Sequence, residues 1–222
     1  MGVNKLTKRE EAKRAVVETG QRILTSGLVV GTWGNVSARV PGEPELVAIT
    51  PSGMDYMALT EEDIVLLDLS GNLVEGRRKP SIEVPLHLAV YQARPEVNGV
   101  VHVHSVYATA WAAARQPVPG ALEDLVQIVG GEVRVSRYAL PGTRELAQYA
   151  VEALENRMAA LLANHGLIAL GRDLPEALKT CQVVEKAAQA LLYAKLLGGW
   201  VELSRQDIAA MREFFLHSYG QR

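Results

Sequence analysis

Cysteine is almost missing from these 222 residues: Cys181 stands alone, so no intrachain disulfide can staple the fold, and the chain suits a reducing compartment. Aromatic residues are scarce, 5% with only two phenylalanines, so the core must come mainly from aliphatic side chains. Neither sign of charge dominates, with 23 Lys and Arg against 25 Asp and Glu and a net charge of -2. That balance gives no support for a nucleic-acid surface or a basic membrane anchor, so any anionic ligand must be held by local groups. No apolar run approaches the roughly 20 residues of a membrane span. Met1 to Arg9 is charged where a signal peptide would be apolar. Together these absences predict a soluble, cytoplasmic protein. Cys181 falls within a helical pattern and reads as buried packing.

Hydrophobic residues make up 48% of the chain, enough for a full core. Strand and helix patterns intermix with no linker, repeat or low-complexity stretch, which predicts one α/β domain over residues 1–222. Lys8 to Thr25 carries the apolar stripe of an amphipathic helix, stopped by Ser26-Gly27. Leu28 to Arg39 reads as a small-residue loop, with Thr32, Gly34 and Asn35 offering short side chains and backbone amides that can wrap a phosphate without positive charge. Glu45 to Thr50 predicts a strand, followed by a second small-residue turn, Pro51-Ser52-Gly53. Thr60 caps a helical turn, and Val65–Asp68 with Leu73–Glu75 reads as a hairpin. Ser81 is the predicted N-cap of a helix to about Ala93, which places Glu83 in its first turn. Val106 to Arg115 reads as an alanine-rich helix and Glu132 to Tyr138 as a strand. Thr143 caps a helix to about Asn156, and Ala159–Ala163 and Leu167–Leu170 are apolar strands. Asp173 and Pro175 open a long helix to Leu197, and Ser204-x-x-Asp207 opens a last one ending near Tyr219-Gly220.

The chemistry gathers at Gly99-Val100-Val101-His102-Val103-His104. On a strand, residues two apart share a face, so His102 and His104 project the same way and suit a metal ion. A catalytic zinc takes three protein ligands and keeps one position open, and His165, in Asn164-His165-Gly166, is the candidate third ligand. Several first-row ions are compatible with imidazole.

Four separated pieces, Thr32-x-Gly34-Asn35-x-Ser37, Thr50-Pro51-Ser52-Gly53, Pro80-Ser81-x-Glu83 followed by His102-x-His104, and Asn164-His165-Gly166, occur in an order that resembles the class II aldolase/adducin family across nearly the whole chain. The resemblance implies a central, mostly antiparallel sheet flanked by helices on both faces, assembled as a C4 homotetramer with sites at subunit interfaces. It makes His102, His104 and His165 zinc ligands. Glu83 becomes the carboxylate that shares the resting metal site and acts as acid/base. Thr32, Gly34, Asn35, Ser52, Gly53 and Ser81 match the phosphate-cradling positions. Tyr219 matches a tyrosine that reaches a neighbouring subunit's site, whereas His217 has no family role and reads as surface.

The implied reaction is retro-aldol cleavage of a ketose 1-phosphate to dihydroxyacetone phosphate and an aldehyde, with zinc as Lewis acid. L-fuculose 1-phosphate and 5-deoxy or methylthio pentulose 1-phosphates are the implied substrates. Two departures bear on that choice. Ile82 stands where a second phosphate-binding serine would, and Glu123 or Asp124 occupies a loop position where a tyrosine is expected. The same scaffold also supports a dehydratase, an epimerase, a decarboxylase, or a non-enzymatic adducin-like interaction module.

Overall fold

The structure, a computed structural model, describes residues 6–219. Gly220, at the expected end of the last helix, lies outside them. Eight strands form one sheet: β1 Asn35–Val40, β2 Glu43–Ile49, β3 Val65–Asp68, β4 Leu73–Glu75, β5 Gly99–Val103, β6 Arg134–Val135, β7 Ala159–Leu162 and β8 Gly166–Gly171. Their spatial order is β4-β3-β2-β1-β5-β8-β7-β6, and every neighbouring pair is antiparallel except β6 with β7. The seven helices are α1 Lys8–Thr25, α2 Val84–Ala93, α3 Val106–Ala113, α4 Glu123–Val129, α5 Arg144–Leu154, α6 Leu174–Leu196 and α7 Arg205–His217.

Alternation along the central strands sorts these helices into two layers. Val101 and Val103 of β5 and Leu167 and Ala169 of β8 pack with residues of α1, α3, α4 and α6. Val100 of β5 and Ile168 and Leu170 of β8 face the other way and pack with α2 and α5. Each face thus buries an aliphatic layer, at about 1.5–3 kcal/mol per fully buried Val, Leu or Ile. The expected mostly antiparallel sheet with helices on both faces is what the chain forms. Cys181 is buried in α6, and His217 is exposed at the end of α7. Thr143, Asp173 and Ser204 cap α5, α6 and α7 by accepting from the N–H of Leu146, Glu176 and Asp207. Among the described residues, no helix is long and apolar enough to cross a membrane.

Three local expectations are corrected. The N-cap of α2 is Glu83, not Ser81; the Ser81 hydroxyl accepts from the Glu83 N–H at 3.2 Å and the Ser81 carbonyl from Val84 at 3.2 Å, so a tight turn precedes the helix. The stretch read as a loop up to Arg39 becomes strand from Asn35, because β1 is clamped between β2 and β5. The strand expected over Glu132 to Tyr138 is shorter: Arg134 and Val135 pair with β7, Val133 bridges Val118 instead, and the Ser136 N–H makes a last bond to the Leu161 carbonyl.

Candidate active site and metal centre

Three adjacent strands build the site. Asn35 of β1 lies opposite His102 of β5, and His102 lies opposite Ile168 of β8. His104 follows the end of β5, and His165 ends the turn that precedes β8. That turn is tight: Asn164 has φ of +56° and its side-chain carbonyl accepts from Arg115 Nε at 2.9 Å. Gly166 lets the strands close. A Cβ there would lie 2.5 Å from the Val103 carbonyl oxygen, 3.1 Å from His104 Cδ2 and 3.3 Å from His102 Cε1. Gly34 serves the same purpose on the other side, with φ of +84° and a notional Cβ 2.7 Å from the His102 carbonyl oxygen.

The result is a cluster of three imidazoles whose ring centroids are 4.7–4.9 Å apart. One nitrogen from each of His102, His104 and His165 falls within 4.8 Å of the others. Glu83 joins them, with Oε2 at 3.1 Å from His102 Nε2 and Oε1 at 3.6 Å from His165 Nε2. The donor set fits a metal ion. His102 Nδ1–H donates to the Leu167 carbonyl at 2.9 Å, which leaves Nε2 as a lone-pair donor facing the cluster. Glu83 Oε1 and His165 Nδ1 are buried without hydrogen-bond partners, an arrangement that is expensive unless something else satisfies it.

The protonation states of His104 and His165 agree with that reading. Burial, reinforced by the charges of His102 and His165, pushes His104 down to about 3; burial and His102 push His165 down to about 4. Both are therefore neutral, ligand-competent imidazoles at neutral pH. Burial also opposes charge on His102, but the adjacent Glu83 carboxylate outweighs it and raises that group. Burial would push Glu83 up, yet His102, His165 and the Asn35 amide hold it far below the usual carboxylate range, so Glu83 is ionised.

Beside the cluster lies a cavity of about 260 Å³. Thr32, Gly34, Asn35, Ser52, Gly53 and Ser81, all singled out from sequence, line it together with Glu83, His104 and His165. The Tyr56 hydroxyl braces its floor by donating to the Gly34 carbonyl at 2.7 Å. Ser52 spends its N–H on the Lys79 carbonyl, so its hydroxyl and the Gly53 turn are what it offers a ligand. No lysine or arginine is among the described residues lining this cavity. Trp33, Ile82 and Pro141 add apolar wall. Of these the sequence reading had not singled out Trp33 and Pro141; the Trp33 ring lies 5.8 Å from that of His104. A larger groove, about 450 Å³, opens between Ala12, Ala15 and Pro41 and holds no histidine, so volume alone does not locate the chemistry.

Other singled-out residues lie elsewhere. Asp124 ion-pairs with Lys186 on α6, and neither it nor Glu123 lines the cavity. Tyr219 stacks on Phe215, with ring centroids 5.4 Å apart, beside Lys179 and Arg172. Arg172 follows the far end of β8 from His165, roughly 20 Å along an extended strand. Within one chain, Tyr219 and the triad do not meet.

Comparisons with known proteins identify the family. Residues 14–192 match the family described as Class II Aldolase and Adducin N-terminal domain. The chain is 37% identical to a 5-deoxy-D-ribulose 1-phosphate aldolase of Bacillus thuringiensis serovar kurstaki, covering 96% of this chain and 99% of that protein. It is 39% identical to the L-fuculose phosphate aldolase of Escherichia coli K12, covering 96% and 98%. A solved L-fuculose 1-phosphate aldolase superposes with a TM-score of 0.89 at 39% identity, covering 93% of this chain and 96% of that one. The chain belongs to the class II aldolase and adducin family, and within it is a lyase.

Proposed function

We propose that the protein is a zinc-dependent aldolase that cleaves a ketose 1-phosphate to dihydroxyacetone phosphate and an aldehyde. The observation that carries this is the juxtaposition of three imidazoles and an ionised carboxylate with a cavity of small polar groups whose described lining holds no lysine or arginine. The names of the relatives support 5-deoxy pentulose 1-phosphates and L-fuculose 1-phosphate as the substrate class. The apolar wall of Trp33, Ile82 and Pro141 supports an apolar-tailed sugar, such as a 5-deoxy or methylthio pentulose, as the preferred one.

His102, His104 and His165 would hold the zinc, with Glu83 as the fourth resting ligand. When bound, the metal supplies Lewis acidity at the substrate's carbonyl and hydroxyl oxygens. The hydroxyls of Thr32, Ser52 and Ser81, the Asn35 amide and the backbone at Gly34 and Gly53 would hold the phosphate as hydrogen-bond donors. Cleavage breaks the C3–C4 bond, and its electron pair stays with the C3 side. Glu83, ionised at rest, moves the proton to and from that carbon. Tyr219, contributed by a neighbouring subunit, exchanges the proton of the aldehyde oxygen. That assignment requires the C4 homotetramer. Exposed Leu196, Leu197 and Val201 near the end of α6 support self-association by offering apolar surface for another chain to cover. We place residues 1–222 in this single domain and the enzyme in the cytoplasm.

The test is a coupled assay of zinc-loaded protein for dihydroxyacetone phosphate released from fuculose, ribulose, 5-deoxyribulose and methylthioribulose 1-phosphates. Release that requires zinc and disappears in Glu83→Gln is the expected result. Consumption of substrate with its carbon skeleton intact would replace the aldolase with a dehydratase or epimerase. A dilute monomer with full activity would remove Tyr219 from the mechanism.

A further inference from the structure

The contact between β1 and α2 is unusually polar for a core. Asn35, Ser37 and Arg39 share the α2-facing side of β1, two residues apart, about 6.8 Å per step. Glu83, His87 and Tyr91 lie four residues apart along α2, about 6 Å per step. The two spacings nearly match, so the six side chains interlock as a ladder. His87 is fully buried, with Nε2 at 2.5 Å from Asn35 Oδ1 and Nδ1 at 2.6 Å from Ser37 Oγ. Tyr91 OH lies 2.9 Å from both Ser37 Oγ and the Ser37 carbonyl oxygen. At the other end, Asn35 Nδ2 donates to Glu83 Oε2 at 2.8 Å.

This chain has a direction, and one end decides it. Burial pushes the His87 imidazole down to about 3, so it is neutral, with one donor and one acceptor nitrogen. If Nδ1 carried the proton, Nε2 would accept and the Asn35 amide would have to turn its Nδ2 towards His87. Its carbonyl would then face the Glu83 carboxylate, acceptor against acceptor. With Nε2 protonated, Asn35 Oδ1 is occupied by His87 and Nδ2 is aimed at Glu83. The Ser37 hydroxyl then donates to Nδ1, and Tyr91 donates to Ser37. From Asn35 to Tyr91, each side-chain donor meets an acceptor in this arrangement alone.

We infer that His87 is a positioning residue: as its Nε2–H tautomer it fixes the orientation of the Asn35 amide, and through it the rotamer of the Glu83 carboxylate beside the three histidines. His87 touches neither the cavity nor the imidazole cluster, so it acts only through Asn35. The inference rests on the acid/base role proposed for Glu83. Without His87, the Asn35 side chain is free to turn, and Glu83 loses the donor that holds Oε2 in place.

The test begins on the wild-type protein. Nitrogen-15 imidazole spectra of the zinc-loaded enzyme should show His87 as the Nε2–H tautomer; an Nδ1–H tautomer overturns the inference whatever the variants do. His87→Phe fills the space without hydrogen bonds and should lower kcat about 10–100-fold, the usual effect of losing an outer partner of a metal-site group. KM should change less than kcat, because Asn35 is the one residue of the phosphate cradle that His87 touches. His87→Gln presents an amide that can again donate to Asn35, and it should recover most of the lost kcat. Zinc content and thermal melting are measured on each variant. An unchanged kcat in a folded His87→Phe, or a loss in both variants that tracks loss of fold or of zinc, would make His87 merely structural. Glu83→Gln separates the two layers: if it stays fully active, the acid/base reading fails, whereas its inactivity alongside an unaffected His87→Phe removes only this inference.

Discussion

Gly166→Ala tests the site at its tightest point. Gly166 lies at the first position of β8 without a left-handed φ, so its backbone is one that alanine can adopt. On chain entropy alone the substitution should stabilise the protein by about 0.4–1 kcal/mol. The packing says the opposite. The new methyl would lie 2.5 Å from the Val103 carbonyl oxygen, so β5 and β8 must separate by roughly 0.9 Å to restore ordinary contact. That oxygen belongs to the backbone of a paired ladder and cannot swing aside. Overpacking of this kind costs about 1–3 kcal/mol, so the net effect should be a loss of about 1–2 kcal/mol. Because the same methyl presses on His102 and His104, zinc affinity should fall about 10–100-fold. Urea unfolding of chelator-treated protein reads the first effect, as a midpoint lower by about 0.5 M or more. Competition with a zinc-binding dye reads the second. A midpoint that is unchanged or raised, with zinc affinity intact, would refute the steric argument.

Removing metal should lower the melting temperature by a zinc-dependent margin, equivalent to about 4 kcal/mol at a thousandfold saturation; a melting curve indifferent to chelator and zinc would dismiss the metal centre. In the metal-free protein, His87, His104 and His165 titrate at about 3, 3 and 4 when folded, below the ordinary 6.5. Their contribution is complete above pH 6.5 and lost as pH falls towards 4 and 3, on the order of 4 kcal/mol for His87 alone. The raised His102 opposes this, its own share being present below pH 6.5 and lost at higher pH. Unfolding midpoints that stay flat from pH 7 to pH 4 would contradict the burial argument. Arg39→Ala should cost about 3 kcal/mol, because Arg39 donates to the carbonyls of Val97, Pro44 and Tyr91 from inside the fold; denaturant unfolding with a loss under about 1 kcal/mol would show those carbonyls finding other donors.

Some of this was legible from the chain alone. His102-x-His104 declared itself because strand periodicity is local, and the capping residues Thr143, Asp173 and Ser204 act within one turn of themselves. The start of α2 was not, because Ser81 looks like an N-cap and instead closes a turn onto Glu83. Nor was β1: the glycines just before it and its own short polar residues imitate a loop, and only pairing with two neighbours makes it a strand. The alternation Asn35, Ser37, Arg39 and the spacing Glu83, His87, Tyr91 were both present in the sequence. Each is an ordinary half-polar pattern until the two faces are brought together. Tyr219 is the opposite case: resemblance alone implies a site role for it, and its own chain holds it away from the triad.

The ladder between β1 and α2 also specifies the register of β1. Side chains of a strand alternate, so a slip of β1 by one residue would withdraw Asn35, Ser37 and Arg39 and offer Val36, Ala38 and Val40 to His87 and Tyr91. The buried polar groups of His87 and Tyr91 would then lose their side-chain partners on β1, each at a cost of about 1–3 kcal/mol. The misaligned sheet is thus disfavoured by the same atoms that aim Glu83. A chain in the right register has its carboxylate already set, and one out of register has no reacting centre to misuse.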